Sequence, residues 1–178
     1  MKAPGLGLAG RAAELARAFD AGFAEAPVSA TRSFEDVLAL RLGGEPHALR
    51  LSQAAGLYAR RTIVPLPSAL PELLGLASVR AAVVPVYDLS ALLGRSCQNE
   101  PRWIVVAAQA PIGLAFDELE GYRRLDPEAI VAQAATTPGA APAELIRSAE
   151  ELRPLLHLPA LIEVIVQRAE QARKAKGV

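Results

Sequence analysis

Between residues 34 and 157 the chain is a series of short apolar runs that proline and glycine interrupt repeatedly. Val37–Leu42 and His47–Leu51 flank Gly43-Gly44, a pattern that predicts a β-hairpin. Comparable runs continue along the chain and predict about ten short strands. Such a series is typical of β-barrels or sandwiches rather than of a parallel βαβ sheet. The sequence therefore predicts a mainly β fold.

Further strand candidates share this short apolar character, and two short helical segments lie among them. We expect the helical segments over Leu70–Leu74 and over Asp88–Leu93, with Gly94 at the C-terminal side of the second. We expect a flexible loop over 136–142. The strand candidates are 58–64, 75–80, 83–87, 103–108, 112–116, 145–146 and 154–156.

A helix is predicted near each end of the chain. Residues 10–25 carry Leu15, Phe19 and Phe23 on one face, and this helix either packs on the core, the interpretation that we favour, or docks a partner. Residues 28–33 form a linker. We therefore divide the chain into an N-terminal helix and linker over 1–33, a central domain over 34–166, and the end of a C-terminal helix with its tail over 167–178. The stripe of the C-terminal helix is Leu158, Leu161, Ile162, Ile165 and Ala169.

Two segments of the chain share a sequence pattern. Pro85–Gly94 and Pro154–Glu163 share Pro, Leu, Ala, Leu and an aliphatic residue at matching offsets. Each copy has the pattern of a strand that runs into a helix. This indicates two related subdomains.

Composition excludes several classes of function. Lys plus Arg and Asp plus Glu number 19 each, with no basic block, which argues against binding to nucleic acid or to an anionic membrane surface. Cys97, His47 and His157 are too few for a zinc site, so we expect no metal and no cofactor. No secretory signal is visible, and the longest uncharged run, 129–143, is too short and too broken to span a bilayer. We expect a cytoplasmic protein.

No catalytic constellation is visible. Gly5–Gly10 matches the letters of a dinucleotide-binding loop, but no strand precedes it. Asp117, Glu118 and Glu120 form an acidic cluster that could serve a small hydrolase, although a solvated turn is the favoured interpretation because no histidine or second acidic cluster accompanies it. We expect no catalytic residue and no enzyme activity.

Residues 71–94 resemble the signature of CheW-like domains, which runs G-apolar-x-N-L-R-G-x-apolar-x-P-apolar-apolar-D-L. Three more segments are similar to that family: 37–51 to its opening hairpin, 113–121 to a glycine-bounded segment in the second half, and 154–162 to its closing strand and helix. The resemblance covers about residues 34–166. The residues at signature positions are Gly75, Arg80, Val83, Pro85, Val86, Asp88 and Leu89.

This resemblance implies two intertwined five-stranded SH3-like β-barrels and a non-enzymatic chemotaxis adaptor. In that family an apolar groove takes the cytoplasmic tip of a methyl-accepting chemoreceptor, and one barrel end docks on the regulatory domain of a CheA-like histidine kinase. Association with other CheW-like domains in rings is a further implication. The alternative is a single-partner regulator, a competitor of the main adaptor in an alternative chemosensory array.

The resemblance also suggests the functional residues. Candidates for partner binding are Arg80, Leu51, Ala54, Gly56, Ile104 and Val105. Core packing is the favoured interpretation for Leu51, Ala54, Ile104 and Val105, and a surface ion pair is the alternative for Arg80. The structural motif comprises Gly75, Val83, Pro85, Asp88, Leu89, Asp117 and Gly121.

Several residues depart from the family pattern. Ser78–Ala81 replaces Asn-Leu-Arg-Gly, so we expect that Ala81 does not easily adopt a positive φ. His47 replaces an aromatic residue. The small Ala54 and Gly56 suggest a deeper groove.

Overall fold

A computed structural model of the chain describes residues 34–95, 100–133, 143–147 and 151–175. The predicted N-terminal helix and linker, the 136–142 loop and Cys97 lie outside these residues. The described α-helices are α1 (Leu89–Leu92) and α2 (Leu158–Ala175). The described strands are β1 (Glu35–Leu42), β2 (Glu45–Arg50), β3 (Ala54–Ala59), β4 (Ile63–Val64), β5 (Leu73–Val79), β6 (Ala82–Asp88), β7 (Trp103–Ala107), β8 (Gly113–Phe116), β9 (Glu118–Leu125), β10 (Ile130–Gln133), β11 (Ala143–Arg147) and β12 (Leu152–Leu156).

These strands form two sheets with the same internal order. Sheet 1 runs β10-β11-β12-β2-β1-β9, and sheet 2, taken from its opposite edge, runs β4-β5-β6-β8-β7-β3. Each sheet has one parallel pair at the same place, β12 with β2 in sheet 1 and β6 with β8 in sheet 2, and its other pairs are antiparallel. The two sheets therefore correspond strand for strand.

The chain is a tandem repeat whose halves exchange a hairpin. The first half comprises β1–β6 with α1, and the second comprises β7–β12 with α2. The hairpin β1–β2 nevertheless lies in sheet 1 with β9–β12, while β7–β8 lies in sheet 2 with β3–β6. The two echoing sequence segments occupy equivalent positions, since one leads from β6 into α1 and the other from β12 into α2. This exchange is the structural form of the intertwining that the resemblance to CheW-like domains implied.

Three apolar clusters hold the fold together. Strand β7 shows how they are divided, because side chains alternate between the faces of a strand. Ile104 and Val106 pack in a cluster made of sheet 2 residues, whereas Val105 and Ala107 pack in a central cluster that joins both sheets to α2. The third cluster belongs to sheet 1 and contains Val37, Ala48, Ile146 and Leu155.

The C-terminal helix closes the central cluster. Leu158, Ile162 and Ile165 are buried there, which confirms the predicted apolar stripe. The Gln53 side-chain Oε1 accepts a hydrogen bond from the Leu158 backbone N–H at 3.0 Å and so satisfies a free donor of the first turn. Arg173 and Lys174 lie in the last turn, where positive charge suits the helix dipole.

The structure corrects several boundaries. Each sheet has six strands rather than five, because β4 and β10 each add one at an edge. Strand β4 has only two residues, too few for a periodic signal. The predicted strand over 58–64 is interrupted where Arg60 adopts a φ of 48°. The predicted helical segment at 70–74 is a turn followed by β5, because Leu73 already pairs with Tyr87.

Within the described residues, no helix has both the length and the apolar character that crossing a bilayer requires.

Candidate partner-binding surfaces

Arg80 lies at the tip of the β5–β6 hairpin, in an unusual turn. Val79 pairs with Ala82, which leaves Arg80 and Ala81 as the two central residues, with φ of 47° and 63°. Positive φ at both positions is the geometry of the tight hairpin turn that matches the twist of the strands. The expectation that Ala81 avoids positive φ is therefore wrong, because the register of the hairpin imposes this backbone. Neither residue is glycine, so the turn carries strain of about 1–2 kcal/mol per residue.

The arginine side chain at this tip stacks against Tyr58 of β3. The guanidinium carbon of Arg80 lies 5.9 Å from the centroid of the Tyr58 ring, and that of Arg61 lies 5.6 Å from the same centroid. Both distances are in the cation–π range. Within the described residues neither guanidinium pairs with a carboxylate. The surface acid that the sequence offered as an alternative partner of Arg80 is thus not seen there.

Tyr58 also explains the glycine two residues before it. A Cβ on Gly56 would lie 2.7 Å from the Tyr58 hydroxyl oxygen, so the ring occupies the space that a side chain would need. No deeper groove opens at this position, because Tyr58 fills it.

A shallow depression adjoins this ring. Val84 and Val106, both members of the sheet 2 cluster, form part of its apolar floor, and Arg80 lies among its lining residues. We call it, together with Arg61, the Tyr58 surface. Its lining residues are Ala55, Tyr58, Val79, Arg80, Ala82, Val84, Val106, Ala107, Ala108, Gln109, Ala110 and Pro111.

The remaining groove candidates divide into accessible and buried residues. Leu51 is 38% exposed in the turn between β2 and β3, where it lines a depression with Phe34. Ala54 is half-buried and packs against the central cluster. Ile104 and Val105 are buried, so the packing interpretation applies to them and neither side chain is presented to a partner.

The residues of the structural motif have separate local roles. Asp88 caps α1, since its carboxylate accepts hydrogen bonds from the N–H groups of Ser90 and Ala91 at 2.8 and 3.2 Å. Leu89 is fully buried. Pro85 pairs with Leu76 in the sheet, and Gly121 lies opposite Ala39 where the β1–β9 register shifts.

Two further motif residues, Gly75 and Val83, are unusual in backbone conformation and in exposure, respectively. Gly75 has a φ of 146°, and a Cβ there would overlap the Val64 carbonyl oxygen. Only glycine fits this close approach of the two backbones where β4 pairs with β5. Val83 is 67% exposed, so this signature position contributes to the surface rather than to the core.

The acidic cluster is solvated only in part, since Glu118 is exposed. Asp117 is buried, and the Glu120 carboxylate lies 2.6 Å from both Arg41 and Arg153. Partial burial favours a higher pKa for Glu120, but the hydrogen bonds and charges of Arg153 and Arg41 outweigh it and lower that pKa. A carboxylate held ionised between two arginines is poorly suited to act as a general acid.

A mixed-charge depression near this cluster went unnoticed in the sequence. Its cations are Arg60, Arg61 and Arg102, and its acids are Glu100, Asp117 and Glu118. The Arg60-Arg61 pair that follows β3 is the one sequence signal that could have indicated it. Among the described residues no group of three or more His, Cys, Asp or Glu side chains could hold a metal ion.

Comparison with known proteins agrees with this architecture. The model of the CheW-like domain matches residues 36–166. A crystal structure of the scaffolding protein TtCheW from Thermoanaerobacter tengcongensis superposes with a TM-score of 0.62 at 15% identity, covering 70% of this chain and 89% of that one. A search of curated proteins found no match.

The chain therefore belongs to the CheW-like domain family. CheW-like scaffolding proteins are non-enzymatic adaptors in chemotaxis signalling, and the family match supports that role for this chain.

Proposed function

We propose that this chain couples a chemoreceptor to a CheA-type histidine kinase in the cytoplasm by holding both in one assembly. The observation that carries the proposal is the family match, which spans both halves of the hairpin-exchanged fold. A scaffold of this kind needs two accessible surfaces and no catalytic group. Leu51 with Ala54, and the Tyr58 surface, are two such regions.

The receptor is assigned to the region of Leu51 and Ala54. A chemoreceptor tip is a helical hairpin, and a helix docks through apolar side chains in a groove. Leu51 and Phe34 are both large and exposed and line one depression, and Ala54, shortly after Leu51 in the chain, packs against the central cluster. These residues offer apolar contact with little steric obstruction.

The kinase regulatory domain is assigned to the β5–β6 hairpin end of sheet 2. Arg80 lies at the tip of that hairpin, whereas Ala54, at the start of β3 in the same sheet, packs against the central cluster. Fixed contacts with both partners would let a small receptor shift bias the state of the kinase. Further CheW-like domains would join such an assembly at receptor arrays and extend it into rings.

Partner capture tests this function. The purified full chain is immobilised and offered a receptor hairpin-tip fragment, a kinase regulatory domain, or both together. An adaptor captures each partner and brings the two into one complex. Capture of a single partner identifies the competitor alternative, and capture of neither contradicts the proposal.

A further inference from the structure

Several arginines of the described structure are held by ion pairs, and two are held by an aromatic ring. In six arginines the guanidinium is within 4.0 Å of a carboxylate: Arg41, Arg50, Arg95, Arg124, Arg153 and Arg168. Arg61 and Arg80 instead share one tyrosine ring and have no carboxylate partner among the described residues. An aromatic ring leaves most of the hydrogen-bonding capacity of a guanidinium unused, because its N–H groups still need acceptors.

The two guanidiniums are held at one ring. Both lie near one centroid, at 5.6 and 5.9 Å, so their carbons are no more than 11.5 Å apart. One carboxylate, or two neighbouring ones on one segment of a partner, can span distances within this limit. Tyr58 is itself held in place, because its ring lies over Gly56 and packs against the sheet 2 cluster.

The floor beside these cations is apolar and carries no acid. Val84, Val106 and Ala82 line it, and no Asp or Glu is among the lining residues of the depression. Arg61 also lines a second depression, where Glu100, Asp117 and Glu118 accompany Arg60 and Arg102. A partner that fits must therefore combine negative charge with an apolar side chain.

We propose that Arg61 and Arg80, positioned by Tyr58, bind a carboxylate on the kinase regulatory domain, with an adjacent apolar side chain of that domain on the floor of the Tyr58 surface. This inference rests on the proposed scaffold function. The kinase is the chosen occupant because a receptor tip needs a long apolar groove, whereas this site is short, cationic and confined to one sheet. Arg61 and Arg80 are the contact residues, and Tyr58 is a positioning residue.

The test is titration of the purified full chain with the regulatory domain of a CheA-type kinase from the same organism, at about 0.05 and about 0.3 M NaCl. We expect Arg61→Gln and Arg80→Gln each to weaken binding about tenfold, and the double variant more, through lost charge-assisted hydrogen bonds. The double variant should also show a flatter dependence on salt. Arg147→Gln, which alters another exposed arginine with no ion pair among the described residues, is the matched control and should bind as the wild type does.

Two variants of the tyrosine separate positioning from general structure. Tyr58→Phe keeps the ring and should preserve both affinity and salt dependence. Tyr58→Leu removes the ring and should weaken binding and flatten the salt dependence with little change in Tm.

The outcomes are distinct. If the wild type binds the kinase domain but the double arginine variant binds equally well, the carboxylate site is wrong and the scaffold function stands. If the double variant instead loses only the receptor hairpin fragment, the assigned occupant is wrong. If the wild type binds neither partner, the scaffold function itself fails, and this proposal with it.

Discussion

The carboxylate of Glu72 and the guanidinium of Arg168 are 3.0 Å apart, and this ion pair joins the turn just before β5 to the C-terminal helix. Glu72 is 3% exposed, whereas Arg168 reaches it from the surface. The pair therefore fastens α2, which belongs to the second half of the chain, onto the first half.

We expect Arg168→Met to lower the free energy of unfolding by about 1–3 kcal/mol, because it leaves the buried carboxylate of Glu72 without its charged partner. Urea denaturation measures this change. Arg173→Met, an exposed change in the last turn of the same helix, should alter stability by less than about 0.5 kcal/mol. Equal effects of the two substitutions would show that the ion pair contributes nothing.

His47 should make stability depend on pH. It is buried, with Nδ1 at 3.0 Å from the Glu45 carbonyl oxygen, and burial lowers its pKa below the usual 6.5. The unfolded state therefore binds the proton more readily than the folded state does. Stability is unaffected by this group above about pH 6.5 and falls as the pH drops through that value.

Denaturation at several pH values tests this behaviour. His47→Phe should remove the part of the decline between about pH 7 and pH 5 that His47 causes, whereas His157→Phe, at an exposed position, should retain it. Lowered pKa values of Glu120 and Glu144 act at lower pH and would remain in both variants. A decline unchanged by His47→Phe would contradict the assignment.

Gly75 should tolerate no side chain. Gly75→Ala places a methyl group onto the Val64 carbonyl oxygen at a φ of 146°, so we expect a loss of stability above about 3 kcal/mol, or failure to fold. Gly44→Ala also changes a glycine of positive φ, but nothing lies within 4 Å of its Cβ position. That variant should lose only about 1–2 kcal/mol. Comparable losses in the two variants, measured by thermal and urea unfolding, would show that the overlap with Val64 is not the cause.

The strained turn between β5 and β6 leads to a substitution that we expect to stabilise the chain rather than destabilise it. Ala81→Gly should stabilise the chain by about 0.5–1 kcal/mol, since relief of the left-handed strain exceeds the extra backbone entropy of glycine. Ala82→Gly, one residue further along in β6, has no such strain to relieve and should destabilise the chain. Urea midpoints that move in the same direction would contradict this account of the turn.

Adjacent alanines of β3 should control different partners. Ala54 packs against the central cluster, whereas Ala55 is exposed and lines the Tyr58 surface. We expect Ala54→Glu to abolish receptor-tip binding and spare the kinase, through clash and desolvation of the introduced charge. Ala55→Glu should do the reverse, because it places a carboxylate beside Arg80.

Binding of both purified variants to each partner is the measurement, with Tm as the check on folding. Loss of both partners by Ala54→Glu would indicate misfolding. Loss of neither would mean that the groove assignment is wrong.

Local pattern was enough to predict much of this fold. The β1–β2 hairpin follows from two apolar runs around Gly43-Gly44, and the stripe of α2 follows from apolar spacing. The repeat of Pro85–Gly94 at Pro154–Glu163 indicated equivalent halves. The exchange of hairpins rests on pairing between strands far apart in sequence, such as β1 with β9, and only the family resemblance supplied it.

The candidate surfaces were harder to predict, because they depend on side chains that meet across strands. The sequence pattern did not indicate Tyr58 as a site residue, although its ring contacts Arg61 and Arg80 and fills the space over Gly56. The positive φ of Ala81 follows from the register of β5 with β6, which composition does not reveal. Ile104 and Val105 are equally apolar neighbours, and only the packing shows that both faces of β7 are buried.

Because the two halves exchange hairpins, neither half of the chain could complete its sheet when separated from the other. A chain cut between α1 and β7 yields two pieces, and each holds a hairpin that completes the sheet of the other. Neither piece has a full set of sheet partners by itself, so each would expose open strand edges until it met a complementary piece. A single half of this kind would need a second copy to complete its sheet, and joining two copies end to end turns that swapped dimer into one chain.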